Sequence, residues 1–175
     1  ANWASASPDS APRAYHSEAF AASRATPDPR SWKAPIRNCA GAQPLSAGLG
    51  LKPQHFGEAL ACRRPGLWFE VHPEHYMVEG GPRLAWLEAI RGEHPLSLHS
   101  VSLSLAGSEP PDAGRLASLA RLARRVEPTL VSEHLAWSTW QGAYFPDLLP
   151  FPRTGEALAT IARNLDIVQT ALGRS

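Results

Sequence analysis

The sequence predicts an α/β protein in which helices cover a parallel sheet. From residue 45 onward, a short apolar segment followed by a helix-like segment occurs four times. The apolar segments are nearly continuous, which is typical of strands buried on both faces of a parallel sheet. Four strand–helix units can form a small open sheet or supply the first half of a closed barrel, which needs eight units.

The first two units are predicted from apolar runs and from one proline. A strand is expected over residues 45–52, a short helix over 54–62 and a second strand over 67–74. A helix is expected over 82–94, with Pro82 in its first turn. Proline is favoured there because the N–H group that it lacks has no partner within the helix.

The last two units contain the clearest helical pattern of the chain. Apolar residues recur at steps of three and four, as on one face of a helix, at Leu116, Leu119, Leu122 and Val126. Asp112 and Thr154 are predicted N-caps, and Gly173 is a predicted helix end. The predicted elements are a strand (96–105), a helix (112–126), a strand (129–137), an ordered non-helical excursion (138–152) and a helix (154–173).

The N-terminal quarter of the chain differs from the rest in composition. Residues 1–44 contain 12 of the alanines and 6 of the 17 prolines, and they show neither helical nor strand periodicity. We therefore interpret residues 1–45 as a disordered or unrelated arm, and residues 46–175 as the folded domain.

Charge and composition exclude several classes of partner and location. The net charge of +1 and the absence of a basic stripe argue against nucleic acid as a partner. No apolar run is long enough to cross a membrane, and the first residues do not resemble a signal peptide. Cys39 and Cys62 form no CxxC pair and are expected to be free thiols in the cytoplasm.

Ionisable side chains occur at or just after every predicted strand. The carboxyl ends of parallel strands meet at one face of the fold, so these side chains are expected to face a common mouth. Imidazole and carboxylate without thiolate favour non-haem iron or manganese over structural zinc. The main candidate metal ligands are His55, Glu70, His99 and Glu133, and the weaker candidates are His72, Glu74 and His134.

Each candidate also has a purely structural interpretation. A single histidine in a strand, such as His99, is more often a hydrogen-bonded core residue than a ligand. Glu133 could belong to a buried ion pair, and His134 could face the helix layer. His94 is expected to be only a cation at a helix end. The aromatic residues of the excursion are expected to pack beneath it, with the lining of a substrate groove as the alternative.

Six ordered sequence blocks resemble the multinuclear non-haem iron-dependent oxidases. The resemblance covers about residues 46–175 and leaves the N-terminal arm outside. The blocks are "GLGLKPQHF", "WFEVHPEHYM", "PLSLHSVSLSL", "LVSEHLAWS", "YFPDLLPFPRTGEAL" and "QTALGR".

This resemblance implies a fold, a cofactor and a reaction. The fold is a TIM-type (β/α)8 barrel, of which this chain holds about four of the eight units, a half barrel. The full barrel holds two or three iron ions and uses O2 to modify cysteine residues of a ribosomally made precursor peptide, which a separate partner protein delivers. The motifs assign metal binding to His55, Glu70, His99 and Glu133. Glu133 is the candidate catalytic residue and can bridge two irons, while the weaker candidates orient these ligands.

Several positions depart from the family pattern. The family usually reads Asn at His75 and Gly at both Ser100 and Ser102, and this chain lacks the ligands that follow in longer members. We therefore expect a chain that is inactive alone and that can dimerise through open sheet edges. Two alternatives stay open, which are a divalent-metal isomerase or hydrolase with Glu133 as base, and a non-catalytic binding module.

Overall fold

The computed structural model describes residues 45–174, which contain one four-stranded parallel sheet. The strands are β1 (Gly48–Gly50), β2 (Trp68–Val71), β3 (Leu96–Ser100) and β4 (Leu130–Glu133), and they lie side by side in that order. The helices are α1 (Phe56–Ala61), α2 (Pro82–Glu93), α3 (Ala113–Val126) and α4 (Gly155–Leu172). The predicted α/β class and parallel sheet are confirmed. A closed barrel stays a prediction, and the predicted arm lies almost wholly outside the described residues.

Local sequence signals set the helix ends as predicted. Asp112 accepts a hydrogen bond from the backbone N–H of Arg115 at 2.7 Å, and Thr154 caps α4 in the same way. Pro82 is the first residue of α2. Gly173 ends α4 with a φ of 63°, a left-handed conformation that glycine adopts without steric cost.

The hydrophobic core lies between the sheet and its helices. β3 is the most buried strand, and its Leu96 and Leu98 are almost completely shielded from solvent. The predicted apolar face of α3 packs against it, since Leu116, Leu119 and Val126 are all buried. Burial of these side chains provides the main favourable free energy for holding the layers together.

The strands are shorter than predicted because the chain turns soon after each one. Only 48–50 of the predicted strand 45–52 pairs in the sheet. β2 ends at Val71, since Pro73 starts a 3-10 turn and cannot donate a ladder hydrogen bond. β3 ends at Ser100, and Ser104 in the following loop has a positive φ of 56°.

The predicted excursion is an antiparallel hairpin of β5 (Trp137–Trp140) and β6 (Ala143–Leu149). Gln141 and Gly142 form its turn with positive φ values of 48° and 75°. Two such residues give the twist that a tight two-residue hairpin needs. The hairpin follows β4 directly and therefore starts at the carboxyl end of the sheet.

The structure tests the predictions made for His94 and for the cysteines. His94 is buried, and its Nε2 lies 3.0 Å from the Ala59 carbonyl, so it joins α2 to α1 rather than serving only as a helix-end cation. Cys62 is a free thiol as predicted, whereas Cys39 lies outside the described residues.

None of the helices within residues 45–174 has the length and apolar character needed to cross a membrane.

Candidate functional site

The candidate residues of β2 and β3 lie on the same face of the sheet. In the parallel register Glu70 pairs with Ser97, and the Ser97 hydroxyl donates to Glu70 Oε2 at 3.0 Å. His72 follows β2, and its Nδ1 lies 3.0 Å from the His99 carbonyl oxygen. Alternation along β3 places His99 on the same face as Ser97. One face of the sheet thus presents a carboxylate and two imidazoles.

Three histidines form a row at the carboxyl ends of the strands. The ring centroids of His72 and His99 are 5.7 Å apart, and those of His99 and His134 are 4.6 Å apart. Nε2 of His99 lies 2.9 Å from Nε2 of His134, while Nδ1 of His99 lies 2.8 Å from the Ser132 hydroxyl. His134 therefore faces the candidate site and not the helix layer. Two facing imidazole nitrogens share either one proton or one cation.

Glu74 and Glu133 form a second group of candidate ligands, next to Ser100. Oε1 of Glu74 accepts hydrogen bonds from three groups of the chain segment that leaves β3, which are the Ser100 hydroxyl at 2.7 Å, the Val101 N–H at 2.9 Å and the Ser102 hydroxyl at 2.8 Å. Oε2 of Glu74 is buried without a hydrogen-bond partner. Each oxygen of Glu133 accepts one backbone N–H, from His134 at 2.8 Å and from Leu103 at 3.1 Å.

The pKa values of the two carboxylates are shifted in opposite directions from the ordinary value. Burial acts to raise the pKa of Glu74, but the hydrogen bonds from Val101, Ser100 and Ser102 outweigh it and hold the pKa below its usual value. Burial also raises the pKa of Glu133, and there the hydrogen bonds from His134, Ser100 and Leu103 do not compensate. The negative charge of nearby Glu74 raises the pKa of Glu133 further.

His55 lies apart from these residues. It occupies an exposed 3-10 turn before α1, and its Nδ1 lies 2.9 Å from Oε2 of Glu58. It lines an open cavity of about 390 Å³ beside edge strand β1, together with Leu49, Cys62 and Phe69. Within residues 45–174, no three His, Cys, Asp or Glu side chains converge as ligands of a single ion. The candidate ligands instead occur as pairs.

Four serines hold these side chains, and only two of them, Ser100 and Ser102, stood out in the sequence, as departures from the family pattern. Ser97, Ser100, Ser102 and Ser132 each bond a candidate carboxylate or imidazole. Three of them belong to the alternating pattern "LSLHSVS", in which serines occupy positions that a buried strand normally fills with apolar residues. Because buried hydroxyls require hydrogen-bond partners, the serines in this buried strand were the feature of the sequence that indicated such contacts.

The hairpin carries several aromatic side chains. The Trp137 indole N–H donates to the Pro150 carbonyl at 2.6 Å, and its ring packs edge-on against Phe145. Trp140, Tyr144 and Phe145 are exposed, so the expected packing beneath the excursion holds only for Trp137. The Arg115 guanidinium covers the Tyr144 ring at 4.7 Å from its centroid, a cation–π contact that positions the ring.

The fold and the site define an α/β protein with imidazoles and carboxylates at the carboxyl ends of its strands. Residues 46–175 match the sequence model of the family described as "RiPP precursor modification enzyme MbnB/TglH/ChrH", and the chain belongs to this family. The matched residues thus nearly coincide with the described residues 45–174, and the family resemblance is confirmed.

Curated relatives agree with this assignment. The chain is 61% identical over 129 residues to a UPF0276 protein of Caulobacter vibrioides, and this match covers 74% of the chain and 46% of the relative. It is 63% identical over 130 residues to a UPF0276 protein of Caulobacter sp. strain K31, covering 74% and 47%. A UPF0276 protein of Rhizobium meliloti is 47% identical over 129 residues, covering 73% and 42%. The chain spans about half the length of these relatives.

Proposed function

We propose that this chain carries one half of the metal centre of an iron-dependent oxidase, which uses O2 to modify cysteine residues of a ribosomally made precursor peptide. The family description supports the substrate class, because it names enzymes that modify such precursors. The observation that carries the metal assignment is the pair of facing Nε2 atoms of His99 and His134, 2.9 Å apart. The proposed location is the cytoplasm, where a free thiol such as Cys62 persists.

The residues present fit a metal ion. Two imidazole nitrogens that bind one ion at about 2.1 Å each, at right angles, lie about 3 Å apart, close to the observed separation. The buried oxygen Oε2 of Glu74 has no partner within the protein, although buried polar atoms normally have one. Imidazole and carboxylate together suit ferrous and ferric iron.

Iron would be held by the pair His99 and His134 or by the pair Glu74 and Glu133, because no three of the candidate side chains within residues 45–174 converge on one ion. Glu70 and His55, which the motif also assigns, belong to neither pair, since Glu70 bonds Ser97 and His55 bonds Glu58. Iron bound there would supply the activation of O2 and a Lewis-acidic position for the substrate thiolate. Two or three irons are proposed for a complete barrel, to which further strands contribute ligands.

The surrounding residues hold the ligands in fixed orientations. The Ser132 hydroxyl bonds Nδ1 of His99 at 2.8 Å, which leaves Nε2 as the nitrogen that faces the site. The His99 carbonyl accepts from Nδ1 of His72, so the His72 ring also presents its Nε2 outward.

The exposed aromatic residues of the β5–β6 hairpin are the proposed contact for the precursor peptide. Trp140, Tyr144 and Phe145 are exposed, and they belong to the hairpin that follows β4 along the chain. Large exposed aromatic side chains are typical of peptide-binding surfaces because they bury much apolar area with little loss of entropy. A partner protein that delivers the peptide, and a second copy that covers the open edges of β1 and β4, remain further proposals.

Metal analysis after anaerobic expression tests this function. We expect iron in the wild-type protein and its loss in His99→Ala and in Glu133→Ala. Glu88→Ala is the matched control, because Glu88 lies on α2 and pairs with Arg125 away from the site. Oxygen uptake with a cysteine-containing precursor peptide should require bound iron.

Other results would select a different function. Bound zinc or manganese without oxygen uptake would favour an isomerase or hydrolase in which Glu133 acts as base. A wild-type protein without metal above background would favour a non-catalytic binding module. Iron retained in both site variants would show that the metal lies elsewhere and would overturn the assignment.

A further inference from the structure

The two oxygens of Glu74 have very different surroundings. Oε1 accepts three hydrogen bonds within 2.9 Å, from the hydroxyls of Ser100 and Ser102 and from the N–H of Val101. Both serines are buried, and Ser100 is completely shielded from solvent. Oε2 of the same carboxylate is buried and has no partner. The chain thus provides three hydrogen-bond donors to one oxygen of Glu74 and none to the other.

A purely structural glutamate does not explain this asymmetry. Each carboxylate oxygen has two lone pairs, so three donors use the full capacity of Oε1 and more. Leaving a buried acceptor such as Oε2 unpaired costs about 1–3 kcal/mol. A residue whose only role was to join β3 to the preceding turn would lose less by sharing the three donors between both oxygens.

We propose that Ser100 and Ser102 are positioning residues that restrict Glu74 to binding a cation through Oε2 alone. This inference rests on the proposed metal centre and specifies how one of its ligands is held. Carboxylates bind metal ions through one oxygen or through both. Because the three donors occupy Oε1, binding through both oxygens is excluded here. The remaining coordination positions then stay available for substrate and for other ligands.

Glu133 provides an internal comparison for this assignment. Each of its oxygens accepts one backbone N–H, from His134 and from Leu103, and the Ser100 hydroxyl also bonds this carboxylate. The donors to Glu133 are thus divided between its two oxygens, whereas the three donors to Glu74 all meet at Oε1. The concentration of donors on one oxygen is therefore particular to Glu74.

Anaerobic Fe2+ titration of the full chain, combined with infrared spectroscopy of 13C-glutamate-labelled protein, tests the inference. In Ser100→Ala/Ser102→Ala we expect Fe2+ affinity to fall about 10-fold or more, as for other residues that orient metal ligands. We also expect the separation between the two carboxylate stretching bands of Glu74 to decrease, since both oxygens can then bind. Glu74→Gln identifies those bands.

Ser138→Ala is the matched control, because Ser138 is also buried but its hydroxyl has no hydrogen-bond partner. Unchanged affinity and band separation in the double variant would overturn the inference while leaving iron binding by the wild type intact. Binding through one oxygen without any peptide oxidation would support the inference and contradict the proposed reaction. If the double variant does not fold, Ser102→Ala alone is tested, with the same expected direction.

Discussion

Strands β3 and β4 are neighbours in one sheet and both carry candidate ligands, yet the protein supports them very differently. β3 lies between β2 and β4, and its Leu98 is 0% exposed. β4 is an edge strand within the described residues, and its Leu130 is 44% exposed. His99 is therefore held by a packed core, whereas Glu133 is held mainly by two backbone N–H groups. Hydrogen bonds to the side chain thus fix Glu133 at the edge of the sheet, where fewer side chains pack than at the centre.

The same difference appears in the two carboxylates. Glu74 contacts donors from the segment that leaves β3, and these donors lower its pKa despite burial. Glu133 lies on the edge strand, and burial raises its pKa because its hydrogen bonds do not compensate. Glu74 is thus stabilised in its charged form, whereas Glu133 keeps its proton to a higher pH than an ordinary carboxyl group.

The largest expected effect concerns packing. Leu98→Ala should lower the free energy of unfolding by about 2–5 kcal/mol, because it leaves a cavity where the core cannot fully relax. The matched substitution Leu130→Ala, on the exposed edge, should change stability by only about 0.5 kcal/mol. Urea denaturation followed by tryptophan fluorescence measures both. Similar losses for the two variants would show that the edge is as well packed as the centre.

A smaller effect is expected at Glu74. Its lowered pKa means that its charged form stabilises the fold above the ordinary carboxyl pKa, and that this contribution is lost as pH falls through the folded-state pKa. Glu74→Gln should therefore be less stable by about 1.5–3 kcal/mol at pH 7 in metal-free protein, and the deficit should shrink in acid. Denaturation series from neutral to acidic pH give the result. A deficit that is independent of pH would contradict the hydrogen-bond explanation.

The smallest effect is expected at Glu133 and has the opposite sign. A raised pKa means that stability contributed by the protonated form is lost as pH rises through the folded-state pKa. The stability of the metal-free wild-type protein relative to Glu133→Gln should therefore fall as pH rises through the folded-state pKa, because only the wild type gains a buried charge there. Thermal unfolding of both proteins at several pH values is the measurement, and a stability difference that does not change with pH would refute the assignment.

Structural predictions from the sequence were most successful where the signal lies in neighbouring residues. The N-caps Asp112 and Thr154, the apolar face of α3 and the glycine that ends α4 were all correct, since neighbouring residues alone decide them. The strand ends were less well predicted. Ser104 adopts a left-handed conformation, and its hydroxyl accepts from the N–H groups of Ser138 and Thr139, a contact between distant parts of the chain.

The candidate site shows the same limit. The sequence identified most of its histidines and carboxylates, because ionisable residues at the ends of apolar strands stand out. It ranked His134 and Glu74 as weaker candidates, since nothing local indicates that His134 faces His99 or that three donors meet Glu74 Oε1. It also grouped His55 with the others, whereas the structure places it beside β1.

The α/β class, the order of strands and helices along the chain, the helix caps and the residue types available to bind a metal can all be read from the amino-acid sequence. Short-range periodicity and capping decide these features, so they do not depend on the rest of the fold. The folded chain was needed to show which oxygen of Glu74 is free, which nitrogens of His99 and His134 face each other, and which described strand lies at the edge. Those features depend on side chains that are 26 to 35 residues apart in the chain and meet only when the sheet has formed.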